Sequence, residues 1–240
     1  MPVGRHGQSI QGCRASGKCG LSGSHIVGPT TEQARSAGRT WGALLLADIS
    51  GYTGFLQGVG DAHQALIIDS PEPPPAYGLM SSLLETIMAA IIPPFRLVKL
   101  EGDAVFAVGE ELPLRGTAVV ACLEACYAAF GARLAEANSL WTCSCDACAR
   151  IHTLDLKFVL HYGEFIAQRV GGQEEVLGPE VNVAHRLLKN HALDLTGGRP
   201  YALLSDAAVA MLGVPAAGML ASTEKYEHLP PINVHVLPLG

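Results

Sequence analysis

A mixed α/β domain built around antiparallel hairpins is the fold class the sequence predicts, on three observations. Short apolar and β-branched runs at 41–49, 95–100 and 104–108 are bounded by glycine-containing connections. Alanine- and leucine-rich stretches at 79–92 and 118–134 have the composition and length of packed helices. Apolar residues make up 49% of the 240 and charged ones 16%, which suits one sizeable core and excludes a disordered or fibrous class.

The elements follow in order. Residues 1–40 are rich in Gly, Ser and charge without an apolar period, so they read as an extension lacking its own core; Cys13 and Cys19 lie there. The run 41–49 reads as a buried strand that delivers Asp48 near its end, with a helix to follow. Pro71 to Pro75 form a stiff loop, and the helix 79–92 is stopped by Pro93 and Pro94. Strands 95–100 and 104–108 are joined by a tight turn at Glu101, Gly102 and Asp103. In the helix 118–134, Leu123, Tyr127, Phe130 and Leu134 recur at helical spacing, and Cys122 and Cys126 read as packed core thiols rather than ligands. A cysteine-bearing loop, 141–152, precedes two extended runs, 153–161 and 165–170, joined through Tyr162, Gly163 and Glu164. Pro179 and Glu180 suit the first turn of a helix running to about His191. A strand at 201–204, a helix at 206–211 and strands around Tyr226 and at 234–237 complete the chain.

The formal charge of −6 lacks the dense basic footprint of a nucleic-acid coat, so no nucleic-acid partner is expected. The apolar stretches 43–47 and 87–95 are too short to cross a bilayer, and no transmembrane segment is expected. No signal-peptide centre precedes the domain, so the seven cysteines read as reduced thiols of a cytoplasmic protein.

Four segments in this order, LLLADISGYTGFL, VKLEGDAVFAV, FVLHYGEF and GPEVNVAHRL, resemble the class III adenylyl and guanylyl cyclases. The resemblance covers 41–239, about four-fifths of the chain, and is nearest to an uncharacterised branch with a cysteine-rich loop. It implies a ferredoxin-like α/β sandwich, a mainly antiparallel sheet with packed helices, and active sites formed between two subunits of a homodimer. Asp48 and Asp103 match the family's metal-binding aspartates, and the carbonyl of Ile49 a further oxygen ligand; two Mg²⁺ or Mn²⁺ ions per site are implied. Each aspartate also has an ordinary alternative, as a helix cap or a turn residue. Lys99 and Glu175 match the base-recognising pair and suggest adenine, because lysine donates to a ring nitrogen while a carboxylate accepts from the exocyclic amine. The family commonly has aspartate at the second position. Asn182 and Arg186, four apart on one helical face, fit the pair that positions ribose and contacts phosphate, with Val181, Ala184 and Leu188 facing the core. The family's usual phosphate-binding lysine is absent from the terminal loop, Glu227 to Ile232; Lys189 and His228 are the nearby groups able to stand in. His161 reads as a packed, hydrogen-bonded strand residue, and His185 as a packing or indirect contact.

Cys143, Cys145 and Cys148 form C-x-C-x2-C, with His152 as a fourth candidate ligand for Zn²⁺; redox thiols and unligated cysteines are the other readings. The leading expectation is conversion of ATP to 3′,5′-cyclic AMP and pyrophosphate in a homodimer. The rivals are a non-catalytic cyclase-homology signalling module and a metal or thiol sensor on the same scaffold.

Overall fold

The structure is a computed structural model that describes residues 38–63, 73–110, 113 and 115–240; Cys13 and Cys19 lie outside the described residues. Strand β1 (Gly38–Ser50) occupies the middle of an eight-stranded sheet with β2 (Arg96–Glu101), β3 (Ala104–Gly109), β4 (Asp155–Val170), β5 (Gln173–Leu177), β6 (Tyr201–Ser205), β7 (Leu220–Glu224) and β8 (Ile232–Pro238). The order is β2-β3-β1-β4-β6-β8-β7, with β5 paired to the far end of β4. All pairings are antiparallel except β4 with β6.

Side chains alternate across a strand, so β1 sends Ala43, Leu45, Ala47 and Ile49 to one core and Leu44 and Leu46 to another. Both sets are buried, which explains why this run is continuously apolar. On the first face lie α1 (Tyr52–Ala62), α2 (Pro75–Ile91), α3 (Thr117–Leu140) and, after β6, α6 (Asp206–Leu212). The second face carries α4 (Pro179–Leu187), whose Val181, Ala184 and Leu187 pack on Leu44, Leu46, Phe106 and Val159. Helices therefore cover both faces, the first more fully. A single turn, α5 (Ala192–Leu195), follows α4.

The long helix α3 buries Val119, Leu123, Cys126, Phe130, Leu134 and Ala137, one stripe at spacings of three or four. Cys126 is buried with its sulfur 3.9 Å from the Ile87 carbonyl, and burial pushes its thiol up to about 12; the reading of Cys126 and its half-buried neighbour Cys122 as packed thiols holds. By length and composition alone α3 is long and apolar enough to cross a membrane, a property the short runs considered in the sequence lack. Here its buried stripe belongs to the core, while Arg133 bonds Ser82 and Glu136 at the surface.

Several sequence expectations change. The runs flanking Gly163 are not a hairpin but one continuous strand, β4. Gly163 is needed for space: a Cβ there would lie 2.4 Å from Cγ of Glu180, at the start of α4. The real hairpin turn is Gly171-Gly172, both with positive φ (60° and 86°), as a two-residue connection between twisted strands requires, and it leads into β5, a strand the sequence reading lacked. Tyr226 falls after β7 rather than within a strand, and α4 stops at Leu187 instead of His191. The Asn190 side chain closes α4 by donating to the Leu187 carbonyl at 2.6 Å, and Leu187, not Leu188, is the deepest residue of that turn.

One network, buried at His161 and Ser205 and reaching the surface at Glu180, ties these parts together. His161 Nε2 donates to the Glu180 carboxylate at 2.7 Å, and the Ser205 hydroxyl donates to Nδ1 at 2.7 Å. The same Ser205 oxygen accepts from the Ala208 N–H at the start of α6. His161 is thus the packed strand residue expected.

Two outcomes follow from this packing. Gly163→Ala is expected to destabilise the fold by ~1–3 kcal/mol through overpacking, and Gly163→Ala/Glu180→Ala to cost less than the sum of its single variants, measured by urea unfolding. Burial holds His161 below the ordinary histidine value, outweighing the pull of Glu180. The unfolded chain therefore takes up a proton that the folded chain refuses, so stability contributed here is complete above about pH 6.5 and is lost as pH falls below it. Urea midpoints should drop in that window, and His161→Gln should flatten the drop.

Candidate functional site

The end of β1 and the β2–β3 turn meet because β1 and β3 pair with Asp48 opposite Ala104, one residue beyond Asp103. The Ile49 N–H donates to the Asp103 carbonyl at 3.2 Å, and Gly102, with φ 66°, permits the tight turn between the strands. Burial, and then the negative charge of Asp48, raise the Asp103 carboxyl above the usual carboxylate range. Two oxygen-bearing acids in one field, beside the backbone of Ile49, are a donor set suited to a hard divalent cation, and a cation is what would relieve their repulsion.

Lys157 also reaches this site, and sequence reasoning missed it. The β1–β4 register sets Lys157 opposite Asp48, and its Nζ lies 2.9 Å from Asp48 Oδ2, with the two side chains 22% and 17% exposed. A signal was present: one charge stands in the otherwise apolar alternation LKFVL, two positions before Val159 and four before His161 on the same strand face.

Lys99 and Glu175 come together across 76 residues. Lys99 Nζ donates to Glu175 Oε2 at 2.9 Å and lies 3.3 Å from Glu101 Oε1. The Glu175 hydrogen bond, outweighing partial desolvation, raises the lysine above its ordinary value. β2 and β5 thus face each other through charges; Arg96 likewise pairs with Glu174 and Glu110.

Asn182 and Arg186 are exposed on α4, opposite the buried Val181, Ala184 and Leu187. With Lys189, His185 and the loop residues Glu227, His228 and Leu229 they line a cleft of about 520 Å³. The two residues named as stand-ins for the missing lysine therefore both border this cleft. His228 adopts φ 66° there, the one non-glycine residue with positive φ among the described residues. Neither Asp48 nor Asp103 lines the cleft. His185 borders the cleft with both ring nitrogens engaged: Nδ1 lies 2.8 Å from the Val181 carbonyl, Nε2 2.9 Å from Glu101, and its ring packs edge-on to Phe106 at 5.0 Å. It holds α4 against the β2–β3 hairpin.

The cysteine loop forms a second centre. Its 3₁₀ helix (Cys148–Thr153) packs beside α1, and the fourth group next to Cys143, Cys145 and Cys148 is His63, immediately after α1. The donor atoms of these four residues all lie within 4.8 Å of one another. His152 is a correction: it is exposed on the 3₁₀ helix and outside the group, because the helical turn after Cys148 carries it away. Hydrogen bonds, chiefly from the Cys148 N–H, pull the Cys145 thiol down to about 6, whereas burial pushes Cys148 up to about 12. Nothing in the sequence pattern flagged His63, 80 positions before Cys143.

A family model described as a protein of unknown function, DUF2652, matches residues 80–194. An uncharacterised Mycobacterium tuberculosis protein, Rv2561/Rv2562, is 34% identical over 113 residues, 46% of this chain and about half (51%) of that relative's length. Among solved structures, the adenylyl cyclase CyaB from P. aeruginosa superposes with a TM-score of 0.58 at 14% identity, covering 84% of this chain and 95% of that one. The guanylyl cyclase Cya2 gives 0.56 at 14% identity, over 85% and 95%. With its mostly antiparallel sheet and packed helices, this chain has the fold of a class III adenylyl/guanylyl cyclase catalytic domain.

Proposed function

We propose that the protein is an adenylyl cyclase that converts ATP to 3′,5′-cyclic AMP and pyrophosphate at sites shared by two copies of the chain. The observation that supports this reading is the approach of Asp48, at the end of β1, to Asp103, in the β2–β3 turn, at one end of the central strands of a cyclase-type sheet. Asp48, Asp103 and the Ile49 carbonyl are assigned to hold Mg²⁺ or Mn²⁺, two ions per site. Bound there, divalent ions supply charge neutralisation of the triphosphate and activation of the ribose 3′-oxygen.

The remaining roles belong to the chain's own side chains. Lys99 donates to an adenine ring nitrogen and Glu175 accepts from its amino group; their mutual ion pair holds both in place before the base arrives. Asn182 orients the ribose. Arg186 and Lys189 offset charge that builds on the phosphates as the 3′-oxygen attacks and pyrophosphate departs, the task for which preorganised cations count most. Lys189 takes the place of the lysine missing from the terminal loop.

A cleft with cations but no carboxylate pair, and a carboxylate pair outside that cleft, are two halves of a site. A two-fold homodimer would join each half to its counterpart and make two equivalent sites. Five free cysteines among the described residues suit a reducing, cytoplasmic setting.

Separate incubations with ATP and with GTP, each with Mn²⁺ or Mg²⁺ and read by mass spectrometry, should yield metal-dependent cyclic AMP from ATP that Asp48→Asn/Asp103→Asn abolishes, with less cyclic GMP from GTP. ATP binding without cyclic product would overturn the catalytic reading. The Asp48→Asn/Asp103→Asn chain and an Asn182→Ala/Arg186→Ala chain, each inactive alone, should recover activity when co-expressed; no recovery would overturn the shared site. Lys157→Met removes a cation that competes at Asp48, so Mn²⁺ should bind about tenfold tighter by calorimetry, the equivalent of ~1.4 kcal/mol.

A further inference from the structure

We infer that His63, Cys143, Cys145 and Cys148 form a tetrahedral Zn²⁺ site that clamps the C-terminal end of α1 to the cysteine loop, independently of whether the chain is a cyclase. The geometry around His63 carries the inference. Its Nε2 lies 3.4 Å from the sulfur of Cys143, 3.4 Å from that of Cys145 and 3.9 Å from that of Cys148. One imidazole nitrogen has a single proton or a single lone pair, so one hydrogen bond accounts for one of these neighbours and not for three. A shared central ion accounts for all three. Bonds of about 2.3 Å to sulfur and about 2.0 Å to nitrogen at tetrahedral angles set nitrogen–sulfur separations of about 3.6 Å, which the observed values bracket.

The chemistry of the donors selects the ion. Three thiolates and one imidazole favour Zn²⁺ over Mg²⁺ or Mn²⁺, which prefer the oxygen donors at Asp48 and Asp103. Four protein ligands leave no open position, so the site is structural and carries no reaction step. The Cys148 N–H points at Cys145 Sγ from 3.4 Å, the kind of outer contact that steadies a ligating sulfur.

The position of the site gives the clamp its meaning. In the middle of α1, a Cβ on Gly58 would stand 3.0 Å from Ala147 Cβ, so the helix lies hard against the cysteine loop. Just before α1, Gly51 sits against Thr153 and Leu154, where the 3₁₀ helix leads into β4. The helix that follows Asp48 and Ile49 therefore approaches one short segment at its start and at its middle, and the ion would secure its far end.

The full chain, purified under reducing conditions and dialysed with Zn²⁺ and then without it, should retain one zinc per chain by inductively coupled plasma mass spectrometry. With Co²⁺ in its place, sulfur-to-metal charge transfer in the near ultraviolet and strong tetrahedral bands in the visible are expected. His63→Ala should weaken Zn²⁺ by at least about 100-fold in a chelator competition, the upper end of what losing even an outer contact costs, while His152→Ala stays at the wild-type value; circular dichroism establishes that each variant is folded. Cys145→Ser, at a partly exposed position, gives a second reading of the same kind should His63→Ala misfold. The inference is overturned by less than a tenth of an equivalent of zinc in the folded wild type, by octahedral cobalt spectra, or by a folded His63→Ala or Cys145→Ser chain that holds zinc as tightly as wild type.

Discussion

The pairing of β1 with β4 is the constraint on which the rest of this structure depends. It runs from Gly38 opposite Ala167 to Ser50 opposite Asp155 without a slip. Since side chains alternate with period two, that register sends Leu45, Ala47, Phe158 and Leu160 to one core and Leu44, Leu46 and Val159 to the other. A shift by one residue would exchange both sets and carry Asp48 to the wrong face. The same register sets Lys157 beside Asp48 and aligns His161 with the start of α4 through Glu180. Core packing and site geometry are thus consequences of one ladder.

Charges on the second face are arranged in pairs, each with a distinct packing function. Asp48 has Lys157, Lys99 has Glu175 and Glu101, and His185 links Glu101 to α4. Partly exposed ion pairs contribute little to stability, about 0–1 kcal/mol each, so their presence here is better understood as positioning. They hold long side chains at fixed places around the β2–β3 hairpin, where an arriving anion or cation would meet groups already oriented.

The strand-end, turn and helix settings of Asp48, Asp103, Lys99, Asn182 and Arg186 were legible because each sits in a short segment whose local pattern survives in the linear chain, whereas Glu175 falls on β5, a strand the linear pattern did not reveal. The buried strands were legible for a similar reason: a central strand covered on both faces must be apolar throughout. What the sequence concealed were relations set by tertiary contact. Gly163 reads as a turn glycine until Glu180 is seen filling the space beside it. Lys157 gains meaning only from the strand opposite, and His63 only from a loop far along the chain. His152 was the plausible ligand by spacing, yet a 3₁₀ turn points it outward, a rotation that counting residues does not show.

His63 lies 80, 82 and 85 positions from its three sulfur neighbours. A finger-type zinc module gathers its ligands from a local stretch and can fold around the ion by itself; this quartet cannot. Its histidine is supplied by the end of α1 and its sulfurs by the approach to β4, two segments that the central ladder sets side by side. Closing so long a loop costs entropy that grows only slowly with length. Metal capture at this place would consequently be a late event in folding, a seal set on a finished domain rather than the seed from which it grows.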